Sequence, residues 1–220
     1  ESEQRLLQEA LTDFYRDNVL SDVLARVKGG KEANVYCCQA HPASGLGLIA
    51  AKIYRPQAHR TMRNDAIYKE GRLLLDEQGK GILRDARLKR AVAHKTDFGR
   101  EVITFSWIEH EYGMLQTLHA AGADVPRPIG HIGNTILMEY FGEVNNPAPT
   151  LNSVTLAPGQ AQPLFDRLLW HVELMLKNNR VHGDLSAYNV LFWDDRAVVI
   201  DFPQAVVALK NPHAPRLLQR

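Results

Sequence analysis

Short, mostly apolar runs predict β-strands in the first quarter of the chain. They cover residues 23–27, 35–38 and 48–54, and the polar run 29–34 predicts a turn. Residues 3–17, which precede the strands, show a weaker helical period. We therefore expect one helix followed by a small antiparallel sheet of three strands.

Helical periodicity replaces these short apolar runs further along the chain. Residues 101–121 predict a long helix that ends at a glycine, and residues 129–132 and 135–140 predict a β-hairpin. The stretch 143–163 is rich in proline and asparagine, as in a connector between lobes. A second amphipathic helix follows, and its apolar positions share one face: Phe165, Leu168, Leu169, Val172, Met175 and Leu176.

The composition is that of an ordinary soluble globular protein, with 45% hydrophobic residues, 23% charged residues and a net charge of +1. This balance gives no global electrostatic argument for nucleic-acid binding, although basic residues crowd the stretch 55–100. No apolar run is long enough for a membrane span. Cys37 and Cys38 are neighbours on a predicted strand and point to opposite faces, so we expect free thiols and a cytoplasmic protein.

Candidate chemistry concentrates in residues 181–192, which read VHGDLSAYNVLF. A polar loop carries Asp184 and Asn189 into an apolar strand, and a second apolar strand ends at Asp201. Phosphoryl transfer needs one carboxylate near the attacking hydroxyl group, and an amide oxygen and a second carboxylate that hold magnesium on the phosphates. The alternative is a loop whose Asp and Asn only satisfy turn backbone, which leaves Asp201 unexplained.

Two further charged residues interrupt apolar patterns. Lys52 lies on the strand 48–54, on the face opposite the two isoleucines, and Glu111 shares a helix face with Ile108 and Leu115. Taken alone, a strand lysine is more often a solvent-facing residue. Because an unpaired buried carboxylate is costly, Lys52 is the natural partner of Glu111, and this pair is how kinases hold nucleotide phosphates.

The turn with Gly30 and Lys31 lies where a kinase carries its phosphate-covering loop. Its sequence is neither G-x-G-x-x-G nor a Walker loop, and an ordinary hairpin explains the two adjacent glycines equally well. Lys31 would add positive charge near phosphates.

Five motifs together resemble the RIO kinases, atypical serine/threonine kinases linked to ribosome assembly. They are GKEANVY at residues 30–36, AKIY at 51–54, MEY at 138–140, HGDLSAYN at 182–189 and IDFPQ at 200–204. These motifs combine features of the first and second subfamilies, and Ala187 stands where relatives usually carry an acid. The mixture is compatible with a bacterial-type branch of the family.

The resemblance implies an α+β, two-lobed, protein-kinase-like fold with the active site between the lobes. Residues 1–140 would form the N-terminal lobe, including a basic, flexible insert at about 56–99. Residues 141–220 would form a reduced C-terminal lobe without the peptide-binding subdomain of ordinary protein kinases. The nucleotide-binding set it implies is Gly30, Lys31, Lys52, Glu111 and the backbone at Glu139 and Phe141.

The resemblance also assigns the chemistry. Asp184 would be the catalytic acid facing the γ-phosphate of ATP, and Asn189 and Asp201 would hold Mg²⁺ or Mn²⁺. Asp201 would in addition accept a phosphate as an aspartyl-phosphate intermediate. A ribosomal particle or rRNA would be the partner, reached through the basic segment 55–100.

Two other functions remain open from sequence. Small-molecule phosphotransferases, such as aminoglycoside and choline kinases, share the His-Gly-Asp and Asn spacing but usually have longer C-terminal lobes. A non-catalytic nucleotide-binding switch would not need the complete set of charged residues found here.

Overall fold

The computed structural model describes residues 2–30, 32–55, 67–68, 90, 92–94 and 96–219. The chain divides into two compact units. The first unit comprises Glu1–Arg60 and Pro128–Pro147, and the second comprises Thr61–Arg127 and Ala148–Arg220. Most of the predicted insert at 56–99 lies outside the described residues, and the lobe boundary after residue 140 remains a proposal.

The first unit is built on one five-stranded antiparallel sheet with the strand order β1-β2-β3-β5-β4. The sequence predicts a three-stranded sheet and a separate hairpin, but the two form one sheet because β5 pairs with β3. The elements are α1 (Ser2–Arg16), β1 (Leu20–Gly29), β2 (Ala33–Ala40), β3 (Leu48–Tyr54), β4 (Pro128–Ile132), β5 (Thr135–Glu139), β6 (Gly142–Glu143) and β7 (Asn146–Pro147).

The core of the first unit lies between α1 and one face of this sheet. Leu11 and Phe14 of α1 pack on a layer formed by Tyr36, Cys38, Ile49, Ala51, Ile53 and Leu137. The predicted common face of the β3 isoleucines is thus confirmed, and both cysteines are free as expected. Each large side chain buried here contributes roughly 1.5–3 kcal/mol, which makes this layer the main stabilising element of the unit.

The second unit contains two long helices and several short strands. Its elements are α2 (Asp97–Ala120), α3 (Ala161–Lys177), β8 (Arg180–Val181), β9 (Val190–Trp193), β10 (Arg196–Val199), β11 (Val206–Val207) and α4 (Ala214–Leu218). The Thr96 hydroxyl caps α2 by accepting a hydrogen bond from the Gly99 amide at 3.0 Å. None of the helices in the described ranges is long and apolar enough to cross a membrane.

The helix α2 groups with the second unit, although the sequence assigned it to the N-terminal lobe. The ring of His110 on α2 lies 2.7 Å from the carbonyl oxygen of Ala205 through its Nε2 atom. Beyond the end of the helix, the carbonyl of Asp124 accepts a hydrogen bond from Val199 at 2.9 Å. These contacts join α2 to the C-terminal strands.

The buried face of α3 differs from the predicted one. Phe165 is 60% exposed and Leu169 is 49% exposed, whereas Leu164, His171 and Met175 are buried. An apolar pattern counts a histidine as a surface residue, but His171 is turned inward by a hydrogen bond to Asp124. The prediction of a helix is confirmed, and its predicted apolar face was wrong for Phe165, Leu169 and Leu176, all three of which are exposed.

Candidate active site

The loop between β8 and β9 depends on a glycine. Gly183 has φ +80°, a conformation that side chains rarely adopt. A Cβ atom at this position would also lie 2.6 Å from the carbonyl oxygen of Gln204 and 3.3 Å from the Tyr68 ring. The glycine of the His-Gly-Asp motif is therefore required both for the turn and for close approach of the segment after Asp201.

His182 connects this loop to the strand that precedes Asp201. Its Nδ1 atom accepts a hydrogen bond from the Asp184 amide at 3.3 Å, so its Nε2 atom carries the hydrogen donated to the Ile200 carbonyl at 3.1 Å. The ring also packs on Phe202, with the two centroids 4.8 Å apart. The sequence motif gave His182 no separate role, but its ring is buried, and a buried polar ring requires hydrogen-bond partners.

Asn189 and Asp184, which the motif places five residues apart, are in direct contact. The Asn189 side-chain nitrogen donates to the Asp184 carbonyl at 2.8 Å and to its Oδ2 atom at 3.1 Å. Both bonds use the amide nitrogen, which turns the amide oxygen away from Asp184. The Asn189 side chain is therefore fixed with its oxygen as the atom presented to a cation.

Asp201 occupies an unusual backbone conformation at the end of the segment that follows β10. Its φ is +71°, in the left-handed region, and its side chain is exposed. The residue before it, Ile200, donates its amide to the Asn189 carbonyl at 2.9 Å. Non-glycine residues persist in this conformation when the surrounding structure holds them there.

The donor set of Asn189 and Asp201 fits magnesium. Both offer hard oxygen atoms, and Mg²⁺ is usually held by one or two carboxylates together with substrate phosphates and water. Among the described residues no group of three or more His, Cys, Asp or Glu side chains is suited to hold a metal ion. The two oxygen donors match a cation that is bound jointly by protein and phosphates.

Lys52 lies on the sheet face opposite α1. Strand pairing places it directly between Val35 of β2 and Ile136 of β5. One step along the same face, Ala50 lies between Cys37 and Met138. The Lys52 Nζ atom lies 5.2 Å from the centroid of the Tyr54 ring, which it approaches as a cation over an aromatic face.

Glu111 is buried at 4% exposure on the apolar face of α2, together with Ile108 and Leu115. The prediction of a carboxylate within this apolar face is confirmed. Lys52 belongs to the first unit and Glu111 to the second, and their pairing remains a prediction.

The remaining nucleotide-binding candidates lie at the ends of strands. The Gly30 amide donates to the Ala33 carbonyl at 2.9 Å, and a Cβ atom on Gly30 would lie 2.8 Å from that oxygen. Glu139 is the last residue of β5 and Phe141 follows two positions later. Lys31 lies outside the described residues.

Tyr140, between the two predicted adenine-binding residues, is held by two contacts. Its hydroxyl donates to the Glu143 carbonyl at 3.0 Å. Burial, together with the neighbouring Cys37 thiol, raises the pKa of Tyr140 to about 12. The tyrosine therefore remains neutral and fixes the chain directly after β5.

Comparison with protein families gives one model that matches residues 34–220, the RIO domain. The chain is 35% identical to the RIO-type serine/threonine-protein kinase Rio1 of Thermoplasma acidophilum, over 57% of this chain and 64% of that protein. It is 31% identical to the Rio1 kinase of Haloferax volcanii, over 88% of this chain and 58% of that protein. The chain thus spans about three fifths of the length of these two relatives.

Comparison with solved structures finds a similar fold in a Rio2 kinase. The Rio2 kinase–ADP/Mg²⁺–phosphoaspartate complex from Chaetomium thermophilum is similar with a TM-score of 0.61 at 22% identity, over 98% of this chain and 57% of that one. The expected α+β, protein-kinase-like fold is therefore confirmed.

Proposed function

Because the chain belongs to the RIO domain family, we propose that it is an ATP- and magnesium-dependent phosphotransferase, acting as an atypical serine/threonine kinase or as an ATPase. The observation that carries this proposal is the double hydrogen bond from Asn189 to Asp184. It fixes a catalytic carboxylate and a cation-binding amide oxygen in one loop, and the carbonyl of the same Asn189 anchors Ile200 beside Asp201.

Each residue has a separate role in the proposed reaction. Lys52 binds the nonreacting phosphates, with Glu111 as its partner, and the backbone at Glu139 and Phe141 binds adenine. Asn189 and Asp201 hold the cation through oxygen atoms. Bound Mg²⁺ or Mn²⁺ would neutralise charge on the phosphates and orient them for transfer.

Asp201 is also proposed as the phosphate acceptor. One of its carboxylate oxygens attacks the γ-phosphorus, the bond from that phosphorus to the β,γ-bridging oxygen breaks, and ADP leaves. Water then attacks the phosphorus of the aspartyl phosphate, Asp184 takes the water proton, and inorganic phosphate leaves while the Asp201 carboxylate is restored. A carboxylate nucleophile thus splits one difficult transfer into two easier steps.

The proposed partner is a ribosomal particle or rRNA bound through the basic segment 55–100, in a cytoplasmic protein. The family and the crowding of basic residues there support this partner, and the unpaired thiols of Cys37 and Cys38 support the location. If rRNA is bound by these residues, affinity should fall steeply with salt concentration. Affinity that does not change with salt would point to a protein partner instead.

Calorimetry with a non-hydrolysable ATP analogue, followed by a phosphate-release assay with ATP, tests the enzymatic proposal. Magnesium should strengthen binding, and release should require Mg²⁺ or Mn²⁺. If the analogue does not bind at millimolar concentration, the proposal is contradicted.

A further inference from the structure

The two residues before Asp201 are anchored from three places in the second unit. The Val199 amide donates to the Asp124 carbonyl at 2.9 Å, and the Ile200 amide donates to the Asn189 carbonyl at 2.9 Å. The Ile200 carbonyl accepts from His182 at 3.1 Å. Two of these anchors come from the catalytic loop, and the third, Asp124, belongs to a turn far away in sequence.

The carboxylate of Asp124 joins two further segments. Its Oδ2 atom accepts from Arg167 at 2.6 Å and lies 3.0 Å from His171, both on α3. Its Oδ1 atom accepts from Arg196 at 3.2 Å, at the start of β10. Because α3 leads through β8 into the loop with Asp184, and β10 leads to Asp201, this carboxylate contacts the elements before both catalytic acids.

The network is built around an ionised, mostly buried acid. The Asp124 side chain is 14% exposed, and the His171 side chain is fully buried. Burial would raise the pKa of the Asp124 carboxyl, but the hydrogen bonds from Arg167 and Arg196 outweigh it and lower the pKa. Arg167 in turn lies 3.9 Å from the centroid of the Trp170 ring.

A role of Asp124 in stability would explain the contacts of its carboxylate, but only those. It does not explain why the carbonyl of the same residue anchors Val199, two positions before an aspartate with φ +71°. Such a backbone conformation requires neighbours that over-determine it, and Asp124 supplies one of them.

We infer that Asp124 is a positioning residue for phosphoryl transfer, which holds residues 196–201 in register with the catalytic loop and so fixes Asp201 relative to Asp184. The inference rests on the proposed function for its catalytic consequence. Its structural part, the anchoring of Val199, is measured independently.

The variant Asp124→Asn tests this inference because it keeps the side-chain shape and removes the charge. We expect maximal turnover to fall about tenfold, and the Mg²⁺ concentration for half-maximal turnover to rise by a similar factor, because groups that orient metal ligands typically change activity or metal affinity about 10–100-fold. Affinity for the ATP analogue without magnesium should stay unchanged. A role in stability alone would not shift the magnesium requirement.

Asp13→Asn is the matched control. Asp13 accepts from Arg16 at 3.0 Å in an exposed pair on α1, and its carbonyl also accepts a main-chain hydrogen bond. This variant should leave turnover and the magnesium requirement unchanged. If Asp124→Asn behaves like Asp13→Asn, the inference is overturned.

Hydrogen exchange separates this inference from the proposed function. In Asp124→Asn, the amides of Val199 and Ile200 should exchange faster, whereas Leu137 in the first unit should not change. Unchanged exchange at Val199 would refute the positioning role even in an active enzyme. If Asp124→Asn does not fold, Arg196→Met replaces it, because the Arg196 side chain is 56% exposed and bonds to Asp124. This variant should show the same faster exchange and the same higher magnesium requirement.

Discussion

The sheet of the first unit and the loop between β8 and β9 in the second hold their candidate functional side chains in different ways. Lys52 lies on a regular strand, and the paired neighbours Val35 and Ile136 determine the face on which it lies. Asp184 and Asp201 lie in irregular backbone. Asn189 and His182 share hydrogen bonds with Asp184 and with Ile200, the residue before Asp201.

This difference predicts different responses to mutation. On a regular strand a side chain can change without altering the backbone hydrogen bonds around it, so a change at Lys52 should remove the interactions of that side chain and little else. In the loop each residue supports others, so a change that removes one of these contacts should affect both structure and chemistry.

The largest effect is expected for Asp184→Asn. The amide can still accept the hydrogen bond from Asn189, so the loop should keep its shape while the catalytic carboxylate is lost. We expect phosphate release to fall by about 10² or more, with nearly unchanged affinity for the ATP analogue. The control is Asp166→Asn, on the exposed side of α3. If Asp184→Asn turns over ATP as fast as the unmodified protein, Asp184 does not have the proposed role.

Gly183→Ala should be the next most severe change. Alanine at φ +80° costs about 1–2 kcal/mol, and its Cβ atom would lie 2.6 Å from the Gln204 carbonyl oxygen. Chemical denaturation should show a loss of at least about this size, together with reduced turnover. Gly113→Ala, within α2 and without any atom within 4 Å of the new Cβ, should leave stability unchanged or raise it. Equal stabilities of the two variants would contradict the account of the loop.

Lys52→Met should weaken nucleotide binding without disturbing the sheet. A hydrogen bond to a charged group contributes about 1.5–3 kcal/mol, so we expect affinity for ATP to fall roughly 10–100-fold. The free energy of unfolding should change by less than about 1 kcal/mol, because the change lies on an unstrained strand. The control is Lys177→Met at the exposed end of α3. If Lys52→Met unfolds, the sheet is as sensitive to mutation as the loop.

The predicted pairing of Lys52 with Glu111 needs a double-mutant cycle with Glu111→Gln. If the two side chains interact, their effects on ATP affinity should not add. Additive effects would show that the two residues act separately.

The smallest effect concerns pH. Burial lowers the pKa of His171 below its ordinary value of 6.5, although Asp124 opposes the shift. The unfolded chain therefore takes up a proton below pH 6.5 that the folded protein binds less well, and stability should fall as the pH decreases from this value. His171→Gln should show a smaller decrease than the unmodified protein in denaturation measured above and below pH 6.5, and His119→Gln, in the exposed last turn of α2, is the control. Equal slopes for all three proteins would contradict the assignment.

Sequence patterns predicted the elements better than the contacts between them. The strand 48–54 has the predicted bounds, because a short apolar run that follows a turn is a local signal. The buried face of α3 was predicted only in part, because His171 turns inward through a bond to Asp124, which no local pattern encodes.

The candidate site shows the same division. The contact of Asp184 with Asn189 was predictable because both lie in one short motif. The left-handed conformation of Asp201 and the anchoring of Val199 by Asp124 were not, since they depend on a hydrogen bond between distant segments and on a conformation that is unusual for aspartate.

An acid-quenched single turnover with ATP labelled in its γ-phosphate tests the central claim most directly. The account predicts magnesium-dependent label on the protein that is stable in acid, is released by hydroxylamine and is absent in Asp201→Asn, followed by free phosphate. Label that resists hydroxylamine and is lost in strong base would assign the phosphate to serine or threonine and contradict the role of Asp201 as acceptor. If the unmodified protein gives neither bound label nor free phosphate, phosphoryl transfer itself is contradicted.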